Sequence, residues 1–406
     1  MDNNTKDNNT NNWKEFTLGN PQEEPPKRIE KKHREKKRIL WFALLIVVVL
    51  AVVAVVFLWD QSSFDGLRRS IIYATAKKDE SGCAELYSYN GDQTSCFAAL
   101  DGSLIDLSDN QLLMINEKGK ALVNEAIRFN SPTLAANEDC AIAYDTGGTL
   151  LYLLGSKGIL WTLESEGEIL SATINENNYI TIVENKSGYK AAVYVYSNTG
   201  ELIFEFDSAD RFVMTAALSR DNHTLAAITM GQEDGRFTSY LVLYRTNSKE
   251  PIKRVKVSNG AVYDVDWTDG CFCIVAEDGL YFWETDGTQV GSYLFNNVYL
   301  LRCCLKGNGY VSLLVSPYKS GSQCTLLAVD TAGNELGCCE IENEVLSFDS
   351  AGRYTAVLCA DELTIYDKTM QKVSYLSDIS EAHQVLMRAD GSAVLAGAQT
   401  ARLYLP

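Results

Sequence analysis

From residue 83 onward the chain repeats one pattern, in which short apolar runs alternate with polar turns. One form pairs two runs around a tight turn, usually Gly-bearing. It occurs as LLMINEKGKALVNEA (112–126), LLYLLGSKGILWTLES (150–165), AVYVYSNTGELIFEFDS (192–208), LVLYRTNSKEPIKRVKVS (241–258), LYFWETDGTQVGSYLFN (280–296), LLAVDTAGNELGCCEIE (326–342) and LTIYDKTMQKVSYLSDI (363–379). Asn, Asp and Gly tolerate positive φ, so these turns predict hairpins. A second hairpin form lies between successive copies. Its turns are Asp101-Gly102, Asp221-Asn222, Asp269-Gly270, Asn308-Gly309, Ala351-Gly352 and Asp390-Gly391, with looser versions at Asn137-Glu138-Asp139 and Asn177-Asn178.

These eight turns recur every about 41 residues between 101 and 391. Four short strands per period of that length is the signature of a β-propeller blade. Runs such as LAAITM and SLLVS are continuously apolar, as in strands covered on both faces. The segment ARLYLP (401–406) reads as the third strand of an unfinished blade, and CAELYSYN (83–90) can supply its fourth. Closing the ring with both ends removes two exposed edges. The expected fold is all-β, a propeller of four-stranded blades. Eight blades are favoured, and seven is the alternative because the early repeats are weakly marked.

The pattern is different upstream. Ile39 to Trp59 is an uncharged apolar run, and a helix of that length spans roughly 30 Å, the hydrocarbon thickness of a bilayer. Trp41 and Trp59 stand near its ends, where amphipathic rings favour headgroups. Eight Lys and Arg lie between Lys27 and Arg38, whereas Asp60 and Asp65 are the first charges after the run. The positive-inside rule then places the N-terminus in the cytoplasm. A cleaved signal peptide has a shorter apolar core and a shorter basic leader. The expected organisation is a disordered basic tail (1–38), a transmembrane signal anchor (39–59), a stalk (60–82) and an extracytoplasmic propeller (83–406). The localisation is the cell membrane, with a single pass.

Charge sharpens this picture. The chain carries a formal net charge of -17, but residues 1–38 are net positive and the remainder holds 26 Lys+Arg against 46 Asp+Glu, a net of -20. So acidic a domain repels phosphate backbones, which excludes nucleic acid as a partner. The eleven cysteines are odd in number, include no C-x-x-C and occur mostly in apolar runs. There they serve as small buried hydrophobes, with room for one or two disulfides.

Candidate chemistry is sparse. The chain has no G-x-S-x-G, G-x-x-x-x-G-K-[ST] or G-x-G-x-x-G, so hydrolase and phosphate-cradling motifs are lacking. His223 and His383 are the only histidines beyond the span. His223 falls in a turn and is expected to be exposed. Asp264, Asp266 and Asp269 lie in DVDWTDG (264–270). The spacing departs from a calcium loop, whose third carboxylate would come one position earlier and which a Glu would close. In the repeat register Asp264 and Asp266 share one face of an innermost strand, and Asp269 begins the turn. They read as solvated rim carboxylates, with a weak metal or ligand site as the alternative. The vicinal pairs Cys303-Cys304 and Cys338-Cys339 fall on the first and fourth strands of one blade, which are not neighbours. Tyr152, Trp161, Tyr194, Tyr196, Tyr244, Trp283 and Tyr366 recur on third and fourth strands and are expected to pack between blades.

The basic tail, apolar anchor, FDGLRR stalk and xxGxxL hairpins together resemble an uncharacterised family of membrane-anchored propeller proteins of Gram-positive bacteria. More broadly the repeats are similar to WD40 and quinoprotein propellers. The Trp-Asp dipeptide of WD40 blades is replaced here by Tyr366-Asp367 and Val329-Asp330. The resemblance implies a fold and an anchor but supplies no activity. The expected function is a non-catalytic, membrane-tethered binding or scaffold module of the cell envelope. Its partner would be an envelope protein or glycan, and no cofactor, catalytic residue or firm metal ligand is expected. The alternatives are a quinoprotein-like or glycan-acting enzyme and a sensor signalling through a cytoplasmic partner.

Overall fold

The computed structural model describes residues 40–50, 79, 82–89 and 95–406, apart from 101, 117, 259, 322 and 380. The chain divides into two units, Met1–Ser63 and Phe64–Pro406. In the first, residues 40–50 form a helix whose side chains are all exposed. No helix among the described residues is long and apolar enough to cross a membrane. The expected tail, the rest of the expected span and most of the expected stalk lie outside the described residues.

Among the described residues the second unit holds thirty-two strands in eight four-stranded antiparallel sheets. Seven are simple meanders: Cys96–Ala126, Pro132–Glu164, Ile169–Ser208, Phe212–Ser258, Val262–Leu294, Tyr299–Ile341 and Val345–Ser377, taken below as blades 1 to 7. Blade 8 is composite. Its first three strands are Ala382–Met387, Ala393–Gly397 and Thr400–Tyr404, and its fourth is Cys83–Ser88 from the other end of the chain. Both the eightfold count and the shared blade agree with the repeat pattern.

The core explains why a ring forms. Its buried side chains fall into eight clusters, each uniting residues of two neighbouring blades. The eighth, with Tyr87, Phe97, Leu104, Val394 and Leu403, joins blade 8 to blade 1. Second strands such as Cys271–Ala276, Val311–Ser316 and Tyr354–Cys359 are buried at every position. They are apolar throughout because a sheet lies against each of their faces. Fourth strands are solvated on the rim, and Pro251–Ser258 accordingly alternates charge with aliphatic residues.

Close approach of the blades constrains residue size. A Cβ on Gly337, in the fourth strand of blade 6, would lie 2.1 Å from the Thr369 carbonyl oxygen of blade 7. Only glycine fits there. Polar side chains then stitch neighbouring turns. Asn137 Nδ2 donates to the Asn175 carbonyl at 2.7 Å, and Asn175 Nδ2 donates to the Ser219 carbonyl at 3.1 Å. Between blades 6 and 7 a buried hydroxyl chain links Ser312 to Ser350 (2.6 Å), Ser350 to Thr355 (2.9 Å) and Thr355 to Tyr310 (3.1 Å). Within a desolvated interface such chains satisfy groups that would otherwise destabilise the fold.

Cysteine placement follows the sequence reading. Cys303-Cys304 and Cys338-Cys339 occupy the first and fourth strands of blade 6, and those strands do not pair. None of the eleven cysteines forms a disulfide.

Candidate functional site

A meander blade has two ends. The start of each first strand lies beside the turn joining the second and third strands, and together these make one face of the ring, called here the mouth face. The opposite, turn face carries the Asp-Gly and Asn-bearing turns. The residues flanking the seam strand, Gly82 and Leu405, meet on that turn face.

First strands of blades 3 to 8 share an irregularity. Each has a register shift near its start, at Ile169/Ser171, Val213/Thr215, Val262/Asp264, Leu300/Arg302, Val345/Ser347 and Ala382/Gln384. The extra residues are Leu170, Met214, Tyr263, Leu301, Leu346 and His383. A bulge removes one residue from the pairing and re-aims its side chain. Six blades thus turn a large side chain, apolar in five of them, at the mouth. Tyr263 is 58% exposed there. The sequence reading missed these bulges. A recurring triplet could have revealed them: aliphatic, bulky, then polar, as in Ile169-Leu170-Ser171, Val213-Met214-Thr215 and Val345-Leu346-Ser347.

Blade 4 adds an arm. Its second and third strands, Thr224–Glu233 and Arg236–Arg245, are ten residues each and overreach their neighbours. The tip turns through Asp234 and Gly235, both at positive φ, and presents Phe237, which is 61% exposed. Arg211 braces the arm. Its Nη1 bonds Glu233 Oε1 at 3.0 Å and its Nη2 the Thr238 carbonyl at 2.7 Å. The guanidinium stacks on Tyr240 at 4.6 Å, and Arg254 stacks on the same ring at the same distance. Other lysines sit over mouth aromatics, Lys190 on Phe212 at 5.0 Å and Lys319 on Tyr299 at 5.4 Å.

Apolar exposure is therefore one-sided. Among the described residues of the propeller, the large hydrophobics that remain exposed lie at the mouth face or on fourth strands at the perimeter. The turn face carries none.

The three predicted aspartates separate. Asp264 and Asp266 stand two residues apart on one face of the first strand of blade 5. Asp264 accepts from the Val265 amide at 2.9 Å and Asp266 from the Trp267 amide at 2.8 Å. They are half-buried rather than solvated on the rim. Burial pushes the Asp264 carboxyl up to about 6. Burial, with the Asp264 charge added, pushes Asp266 to about 7, against a smaller pull from Lys306. Burial lowers the Lys306 ammonium, but its neighbours, the Asp349 carboxylate foremost, outweigh that and raise it above its usual range. Asp269 stands apart in the turn at φ 43, exposed on the turn face. Among the described residues no three His, Cys, Asp or Glu side chains are arranged to hold a metal ion.

The remaining candidates are scattered. His223 is exposed in its turn, while His383 is half-buried against the Phe97 ring at 5.7 Å with Nε2 unpartnered. The Cys303 and Cys304 thiols are both pushed up to about 12 by burial and neighbouring carboxylates, which makes them poor nucleophiles at neutral pH. Trp283 is buried, and Tyr152, Trp161, Tyr196, Tyr244 and Tyr366 pack against the inter-blade clusters.

The fold is shared with solved propellers. The computationally designed Ika8 protein is similar at a TM-score of 0.55 and 14% identity, covering 79% of this chain and 99% of its own. The C-terminal WD40 domain of Sif2 gives 0.57 at 12% identity, covering 80% and 98%. BamB from Moraxella catarrhalis gives 0.50 at 13% identity, covering 80% and 100%. At such identities the likeness concerns the fold alone. No curated protein matches the chain. A family model does match, over residues 79–391, and the chain belongs to that family of unknown function, DUF5711.

Proposed function

We propose that the protein is a non-catalytic binding or scaffold module, a propeller tethered to the cell membrane by residues 39–59 and displayed in the bacterial envelope. The observation that carries this reading is the one-sided mouth. Four of the bulges, at Leu170, Met214, Tyr263 and Leu346, and a braced arm with Phe237 hold large side chains exposed on one face of the ring. Exposed apolar patches of this kind mark interaction sites. The tether rests on the uncharged run and its flanking charge asymmetry. It is supported by the helix 40–50, which is apolar on all sides with every side chain exposed, as suits a helix solvated by lipid.

A photo-crosslinking residue placed at Tyr263 in living cells tests the binding reading, with Glu250 on the turn face as the comparison. A discrete adduct from Tyr263 and none from Glu250 is expected. No adduct from either position contradicts a binding role.

One observation favours the enzymatic alternative. Burial raises the Asp264 and Asp266 carboxyls to about 6 and about 7, with the Lys306 ammonium near Asp266, and perturbed pairs of this kind serve proton transfer elsewhere. A folded Asp264→Asn, Asp266→Asn double variant with normal cellular function rules against that role.

A further inference from the structure

The mouth face has a charge as well as a shape. From blade 5 to blade 8 its loops carry Glu277, Asp278, Glu342, Glu344, Asp361, Asp378 and Glu381, all exposed and none in an ion pair, against the single Lys319. That lysine is already held over Tyr299. Between these acids stand the exposed rings of Tyr263 and Tyr299, and the arm with Phe237 rises on the blade 4 side. Carboxylates interleaved with aromatic rings attract cations at short range and give apolar groups a surface to cover.

This combination selects among occupants. A second copy meeting the acidic arc with its own would set acid against acid, whereas the mouth loops of blades 1 to 4 are mixed in charge, with Arg128, Lys186, Lys190 and Arg236. Anionic lipid headgroups and nucleic acid would meet the same repulsion, since like charges brought together at an interface cost several kcal/mol. We infer that the mouth face docks a cationic segment of a partner protein, one in which Lys or Arg alternates with large apolar side chains. The apolar side chains pack on Phe212, Tyr263, Tyr299 and the arm, while the cations face the acidic arc of blades 5 to 8. This rests on the binding reading above and adds to it the face used and the chemistry of the partner.

The test uses the full-length protein in detergent micelles and a short labelled peptide alternating Lys with Leu and Trp. Its controls are the same peptide with every Lys replaced by Glu, and a neutral oligosaccharide. Anisotropy should show binding of the cationic peptide alone, weakening as salt is raised through the range where the Debye length falls below contact distances. The Tyr263→Ser, Tyr299→Ser variant and the Glu277→Lys, Glu342→Lys variant should each weaken it by about tenfold. Glu138→Lys, Glu250→Lys changes as much charge on the turn face and should leave it unchanged. Circular dichroism confirms that each variant is folded. Equal loss in the turn-face variant, or equal binding of the Glu peptide, would overturn the inference, and so would preference for the oligosaccharide. Such a result together with a crosslinked adduct at Tyr263 removes the cationic partner and leaves the binding role standing. The absence of any adduct removes both.

Discussion

Tyr87 pairs with Ala401 across the seam where the N-terminal strand of the propeller meets its C-terminal one, and both side chains are buried in the cluster that joins blade 8 to blade 1. A ring closed this way leaves no blade without a neighbour on each side, so its stability depends on a contact between the two ends of the domain.

Opening the seam should therefore destabilise every blade. Tyr87→Asp removes a fully buried aromatic and leaves a charge in its place. Loss of the ring alone costs about 3–5 kcal/mol in comparable cores, and the charge adds to it. Thermal unfolding should shift down as one cooperative transition and aggregation should rise. An unchanged transition would contradict closure by this strand.

Asp264 and Asp266 predict a pH dependence. Their folded carboxyls, at about 6 and about 7, lie above the ordinary value of 3.8. The native state thus binds protons more tightly than the unfolded chain, so stability falls as pH rises from about 4 through about 7. Each carboxyl contributes at most about 1.4 kcal/mol per pH unit to that slope. Glu184, raised chiefly by burial, adds a background of the same sign. Melting temperatures measured across this range should show the slope reduced in Asp264→Asn, Asp266→Asn. A variant with the slope of the native chain would show that the pair is fully solvated.

Arg211 should govern the arm. Arg211→Ala removes two hydrogen bonds and one half of the Tyr240 stack. Amide exchange over residues 231–238 should rise sharply while other blades change little, and overall stability should fall by about 1–3 kcal/mol. Arg211→Lys should not restore protection, because an ammonium lacks the fork that reaches Glu233 and Thr238 together. Unchanged exchange in the arm would contradict the brace.

Much of this architecture was legible in the sequence, for a physical reason. Turns need Asp, Asn or Gly at fixed places, and doubly covered strands need continuous apolar runs, so Asp269-Gly270 followed by CFCIVA spells out half a blade. The composite blade was legible because CAELYSYN reads as a strand ahead of the first full repeat, and it pairs with the strand in ARLYLP. The bulges were not, because Leu170, Tyr263 and Leu346 sit inside apolar runs and look like core to any reading of alternation. The arm was hidden likewise, since Gln232 and Glu233 are polar and carry no strand pattern of their own, although they pair with Phe237 and Arg236. Asp264 and Asp266 were legible as neighbours on one strand face, but their desolvation depends on tertiary packing that no local pattern carries.

The proposed tether predicts a topology. In cells made wall-permeable, added protease should digest the propeller and spare an epitope near Asn12. An epitope lost at the same rate as the propeller would contradict a cytoplasmic N-terminus.

The central claim is that binding belongs to the mouth face. Hydrogen exchange of the full-length protein, with and without the cationic peptide, tests it most directly. Protection is expected over residues 231–238, 262–264 and 295–302, with the turns at 219–223, 268–271 and 388–392 exchanging as before. Protection confined to those turns, or to the perimeter strands, would contradict the account.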